Sequence, residues 1–329
     1  MAGFDKVLGH EEIIKHLQNA VFMDKVSHAY IFDGEEKSGK KLLANLFAMT
    51  LQCEAGRTEP CFQCSSCKKV QSRNHPDIIF LDHEKANLIS IDEIRTQVVN
   101  DVAIKPYTGP YKIYIIDEAE KMNLQAQNAI LKTIEEPPAY VVIMLLTSNI
   151  SALLPTILSR CVTLHLKPVK DSLIRNYLME EMQIPDYQAD MSVAFAQGNV
   201  GKAKEIAASH QFREMTDHAL YLLRNTPKME LYELVEAIKQ LTQEKDSIYD
   251  YLDLFLLWFR DVLMFKATKE VDTLVFKKEI NSIEERAKKS SYEGLEIIIE
   301  AIERAKVRLH ANVNFELVME LLFLTIREN

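Results

Sequence analysis

Residues Gly34–Lys41 read G-E-E-K-S-G-K-K, and they stand between an apolar run, Ala29–Phe32, and a helical run, Lys41–Leu51. A strand that enters a glycine turn and leaves as a helix directs backbone N–H groups at an anion. That order demands a sheet whose strand ends line one edge. Gly34, Gly39 and Lys40 fill the glycine and lysine positions of the phosphate-binding pattern G-x-x-x-x-G-K-[ST]. Lys41 stands where the hydroxyl that holds Mg²⁺ belongs. An ammonium has no lone pair for a metal and repels one. The loop therefore predicts nucleotide-site architecture and argues against hydrolysis at this site.

The rest of the chain supplies the layers such a loop needs. Apolar strands are expected at Asp77–Leu81, Lys112–Ile116, Val141–Thr147 and Val162–Leu166. Helices are expected at Glu11–Met23, at Ser90–Ala103 with a Ser90/Glu93 capping box, and at Leu124–Glu135 before Pro137-Pro138. Alternating strands and helices predict an α/β fold with a parallel sheet covered on both faces. Beyond Lys167-Pro168 the pattern becomes helical only, and Gly294 is the one glycine after Gly201. The expected domains are 1–167, an α/β domain; 168–209, a small helical domain; and 210–329, a larger all-α domain. The helices expected in the last are Glu214–Asn225, Met229–Thr242, Ile248–Lys266, Ser291–His310 and Phe315–Ile326.

The net charge of −9 excludes a broadly basic nucleic-acid face. Tyr251–Phe265, the most apolar helical run, is broken by Asp253, Arg260 and Asp261 and is too charged to span a bilayer. Met1–His10 has no apolar stretch, so no signal peptide and a cytoplasmic setting are expected.

Three further constellations carry chemistry. The strand Ile113–Ile116 ends in Asp117-Glu118, the Walker B arrangement in which the Asp holds Mg²⁺ and the Glu polarises water. An acidic helix start would look the same in isolation; the upstream loop favours the functional reading. Asn149, after the strand ending at Thr147, can face a γ-phosphate or simply end a strand. Arg160, in Ser159-Arg160-Cys161, has the chemistry of an arginine finger and also that of an ordinary surface arginine. The cysteines give a sharper signal. Cys53, Cys61, Cys64 and Cys67 fall within fifteen residues and supply the thiolate set of a closed, structural Zn²⁺ site. Packing alone does not explain such clustering.

These residues resemble bacterial replicative clamp-loader subunits of the AAA+ class. The resemblance rests on His28–Phe32, the cysteine module, Asn128–Pro138 (N-A-I-L-K-T-I-E-E-P-P) and Ser159-Arg160-Cys161, in that order. It covers the first half of the chain strongly, and the helical remainder only in length and class. It implies an AAA+ α/β domain, a helical lid and a C-terminal oligomerisation collar. It implies a cytoplasmic, DNA-replication hetero-oligomer with gamma/tau and delta subunits, which loads the sliding clamp onto primed DNA. Lys41 in place of Thr or Ser, and Lys202 where motor subunits carry a sensor arginine, imply the fixed, non-hydrolysing member. Arg160 would then act in trans on a neighbour's ATP site. Intact Asp117 and Glu118 leave nucleotide binding open, and leave a gamma/tau-type ATPase as the alternative. A zinc-dependent nucleic-acid module is disfavoured, because only Lys68, Lys69 and Arg73 accompany the cysteines.

Overall fold

A computed structural model describes residues 3–81 and 88–329; Met1 and Ala2 of the N-terminal stretch lie outside the described residues. The chain forms two compact units. One is Met1–Ile174 with Gly198–Lys202, and the other is Arg175–Gln197 with Ala203–Asn329. The segment 168–209, expected as a small domain, is divided between them.

The first unit is built on five parallel strands: β1 (Ala29–Asp33), β2 (Ile78–Phe80), β3 (Lys112–Ile116), β4 (Val141–Thr147) and β5 (Val162–His165), in the order β2-β3-β4-β1-β5. The helices of this half are α1 (Glu11–Phe22), α2 (Lys40–Leu51), α3 (Ser65–Gln71), α4 (Ile91–Ile94), α5 (Leu124–Glu135) and α6 (Pro155–Leu158); α7 (Asp171–Glu180) begins in this unit, and its larger part, from Arg175, is counted with the second. Strand side chains alternate between faces, and the sheet shows it. Tyr30, Phe32, Ile113, Ile115, Val142 and Met144 join a core with Leu17 of α1 and Leu43 and Phe47 of α2. Their neighbours Ile31, Tyr114, Ile116, Ile143 and Leu145 join a second core with Ile130 and Ile134 of α5 and Ile157 of α6. Two cores explain why β3 and β4 read as unbroken apolar runs.

The helix expected over Ser90–Ala103 is interrupted. The Ser90/Glu93 capping box forms, but α4 passes at Arg95 into a π-helical turn, Arg95–Val99. Thr96, Val98 and Val99 are β-branched and lose rotamer freedom in an α-helix.

The second unit holds α8 (Asp186–Ala196), most of α9 (Val200–Ala208), α10 (His210–Asn225), α11 (Leu231–Gln243), α12 (Ile248–Thr268), α13 (Ile280–Lys289), α14 (Tyr292–His310) and α15 (Phe315–Glu328). Its centre is α12, whose Tyr251, Phe255, Trp258, Phe259 and Val262 are buried in one apolar cluster with residues of α10, α11, α13, α14 and α15. Trp258 meets Phe259 edge-on at 5.0 Å, and Phe255 meets Phe323 at 5.9 Å. Among the described residues no helix is long and apolar enough to cross a membrane.

Candidate functional site

Sheet order decides what the glycine loop can face. β1 lies beside β4, which lies beside β3, so the three C-terminal strand ends share one edge. A cleft of about 430 Å³ opens there, lined by Gly39, Lys40, Lys41, Asp117, Glu118, Glu120 and Ser148 among others. Crevices at this edge are where parallel sheets bind ligands. Gly39 caps α2 with φ of +105°, a conformation that requires glycine.

The cleft's cations are engaged within the chain. The Lys40 ammonium donates to the carbonyl oxygens of Gly34 and of Glu35, the latter at 2.7 Å. Burial lowers its pKa, against the opposing pull of Glu120, Asp117, Asp33 and Glu36. The Lys41 ammonium pairs with the Asp117 carboxylate. It thus sits on the acid that would hold Mg²⁺ in a hydrolysing site. Glu118, in a left-handed conformation, pairs with Lys121 at 2.7 Å, so its charge is neutralised.

Glu120 is an acid that motif reading passes over. Ser148 donates to it from its hydroxyl, and from its backbone N–H at 3.2 Å. Burial opposes its ionisation, but the Ser148 and Thr147 hydroxyls and neighbouring backbone N–H groups outweigh that and hold its pKa below the ordinary value. Its position, three residues after Asp117, was visible in sequence; its direction was not. Asn149 uses its Oδ1 to accept the Ser151 N–H at 3.2 Å, capping a single 3₁₀ turn, and Leu146 and Ser148 line the cleft from that strand end in its place.

The loop is also held from its outer side. Asn199 donates to the Glu36 carbonyl at 2.7 Å, and the Gly201 N–H donates to the Lys37 carbonyl at 3.2 Å. A Cβ at Gly201 would collide with that carbonyl, so the close approach requires glycine. Lys202, one residue on, is exposed.

The four sulfurs of Cys53, Cys61, Cys64 and Cys67 lie within 4.8 Å of one another. Cys61 and Cys67 are 3.9 Å apart. A tetrahedral zinc site with Zn–S near 2.3 Å has sulfurs about 3.8 Å apart, so the donor set and its spacing fit the ion. Backbone N–H groups point at three of the sulfurs: Cys61 at Cys53, Cys64 at Cys61 and Cys67 at Cys64, each at 3.3–3.4 Å. The Gln63 and Cys64 N–H groups bring the Cys61 thiol down to about 6. Burial pushes Cys53 and Cys67 up. Four sulfurs gathered this closely, two of them buried and two half-buried, suit a shared cation that would hold them as thiolates.

Arg160 is not among the residues lining the cleft. It follows α6, where its guanidinium meets Glu135 at 3.0 Å and donates to the Thr156 carbonyl at 3.0 Å and the Ser159 hydroxyl at 3.1 Å. It is about 40% exposed.

Comparison with known proteins matches both halves of the chain. Residues 9–170 fit the family described as DNA polymerase III, delta subunit, and residues 222–328 fit its C-terminal counterpart. The chain is 32% identical over 320 residues to DNA polymerase III subunit delta' of Bacillus subtilis, covering 96% of this chain and 95% of that protein. It is 27% identical to DNA polymerase III subunit tau of the same organism, covering 96% of this chain and 60% of tau. Among solved structures, a DNA polymerase III gamma subunit-related protein of Thermotoga maritima is similar at 20% identity and a TM-score of 0.45, over 96% of this chain and 98% of that one.

Proposed function

The chain belongs to the DNA polymerase III delta-prime family of clamp-loader subunits, and on that premise we propose that it is the fixed, non-hydrolysing member of its complex. In this reading gamma/tau-type partners bind and hydrolyse ATP, a delta subunit completes the ring, and the assembly opens the sliding clamp and sets it on primed DNA in the cytoplasm. The observation that carries the reading is the Lys41 ammonium on Asp117. A tethered cation holds the carboxylate that a motor subunit would give to Mg²⁺. The gamma/tau-type alternative would need that ion pair, and the Glu118–Lys121 pair, to open.

Catalysis enters through Arg160. Its half-exposed guanidinium, outside its own cleft, suits a charge offered to a neighbour's γ-phosphate. Such an arginine is worth about 10³–10⁵-fold in turnover. The cysteine module is read as a structural zinc site: bound Zn²⁺ would crosslink the segment that precedes α3 to the first turn of that helix, with Cys53, Cys61, Cys64 and Cys67 as ligands.

The test is ATP turnover with Mg²⁺ by the purified chain, alone and mixed with a gamma-type subunit. No turnover alone, with stimulation of the partner that Arg160→Ala abolishes while assembly persists, is the expected result. Robust turnover by the isolated chain would make it a motor subunit. Full stimulation by Arg160→Ala would remove the finger role.

A further inference from the structure

The stretch Asn128–Pro138, the most specific in the sequence, has no part in the cleft. The structure gives the helix that carries most of it, α5, a different task. Near its start, Gln127 is buried at 4% exposure and its amide is bonded at three points. Nε2 donates to the Met122 carbonyl at 3.1 Å and to the Ala152 carbonyl at 2.9 Å, and Oε1 accepts the Leu154 N–H at 2.8 Å. Leu154 is the residue from which α6 starts; its carbonyl accepts the N–H groups of Ile157 and Leu158. The first turn of α6 is thus fixed through one side chain of α5. At the other end of α5, Glu135 pairs with Arg160 at 3.0 Å. Between these points Ile157 of α6 is fully buried in the core that holds Ile130 and Ile134 of α5.

We propose that α5 is the mount of the trans-acting arginine, with Gln127 and Glu135 as positioning residues; the proposal rests on the reading of Arg160 given above. A long guanidinium side chain loses rotamer entropy when ordered. Glu135, Thr156 and Ser159 hold it before any neighbour arrives, and its remaining N–H donors stay available for phosphate oxygens. Ordering before the encounter lowers the activation barrier rather than substrate affinity, because the arginine is needed most in the transition state. As an exposed pair, Glu135–Arg160 adds little to stability, so its loss is expected in turnover and not in folding.

The experiment measures kcat and KM for ATP in the complex with gamma-type subunits. Glu135→Ala should lower stimulated kcat about tenfold with KM unchanged. Glu135→Gln, which keeps an acceptor, should restore part of that. Glu135→Ala combined with Arg160→Ala should be no slower than Arg160→Ala alone. Gln127→Ala should lower kcat in the same way if it folds, and Glu135, half-exposed, keeps the test decisive if it does not. Wild-type kcat in Glu135→Ala beside an impaired Arg160→Ala, an effect confined to KM, or additive losses in the double variant would overturn the mount. Wild-type kcat in Arg160→Ala would instead remove the trans-acting reading, and the mount with it.

Discussion

At Lys41, one ammonium in place of one hydroxyl changes which cation Asp117 holds. The pair is exposed on the lysine side, 65%, so its contribution to stability is small, about 0–1 kcal/mol. Lys41→Thr should therefore leave the melting temperature nearly unchanged. It should, however, free Asp117 and add the hydroxyl that Mg²⁺ requires. We expect calorimetry to show nucleotide binding by Lys41→Thr that Mg²⁺ strengthens about tenfold or more, near 1.4 kcal/mol. The wild-type chain should give the same result in Mg²⁺ and in EDTA. Mg²⁺-strengthened binding by the wild type would mean that the ion pair yields to the metal. Glu120 limits what one substitution can restore, since an ionised carboxylate stays in the cleft.

At the scale of elements, two predictions concern how helices are held. Zinc removal should loosen the module in front of α3, where Cys64 caps the helix and Cys67 is fully buried. Metal analysis should find one zinc per chain, and Cys67→Ser should lose it and melt several degrees lower, at about 2–4 °C per kcal/mol. A metal-free protein that melts with the native one would rule out the structural role. On α12, Asp261 is fully buried; one oxygen accepts the Phe276 N–H at 2.8 Å, and Oδ1 has no partner among the described residues. Burial pushes its pKa up to about 6 from 3.8. Between those values the folded chain holds a proton that the unfolded chain has released. This group's contribution to stability is therefore full at low pH, falls as pH rises to about 6, and is flat above. Asp261→Asn should flatten that slope in denaturant titrations. At pH 7.5 it should stabilise the fold by about 1–2 kcal/mol, the burial cost less that of an unpartnered amide. An unchanged slope would place the titration elsewhere.

Elements also show what sequence can and cannot carry. β3, β4 and α5 have the bounds that the sequence pattern assigns, because β3 ends at Asp117, β4 at the polar Ser148-Asn149 and α5 at Glu136-Pro137. α13 escapes: Ile280, Ile283 and Ala287 are too sparse a stripe among Glu284, Glu285, Lys288 and Lys289, and part of its buried face is Arg286. α3 and α6 are too short for any period to register. In the cleft, Gly34, Gly39, Lys40, Lys41 and Asp117 announce themselves by spacing. Gln127, Glu120 and Asn199 acquire partners only once distant segments fold together, and no local pattern marks them.

For the whole molecule, the proposed role requires a surface on which partner subunits dock. The second unit fills its core with α12 and still leaves large apolar side chains outside. On α15, Leu317 and Leu321 stand one turn apart at 51% and 45% exposure, while Val318, Leu322 and Phe323 of the same helix are buried. A single exposed leucine needs no explanation, but a pair at i, i+4 forms a second stripe on a helix already packed by its first. The exposed halves of these leucines contribute little to the fold of the monomer, and burying them against a partner helix would favour association by about 25 cal/mol per Å². Leu317→Glu with Leu321→Glu should therefore melt like the wild type and yet fail to co-elute with gamma- and delta-type subunits in gel filtration. A complex that forms normally would move the docking surface to another helix. A variant that melts early would show that the stripe serves the monomer's own core. Loss of assembly with an unchanged melt is expected, because the residues that hold the unit together and those left outside it lie on opposite faces of one helix.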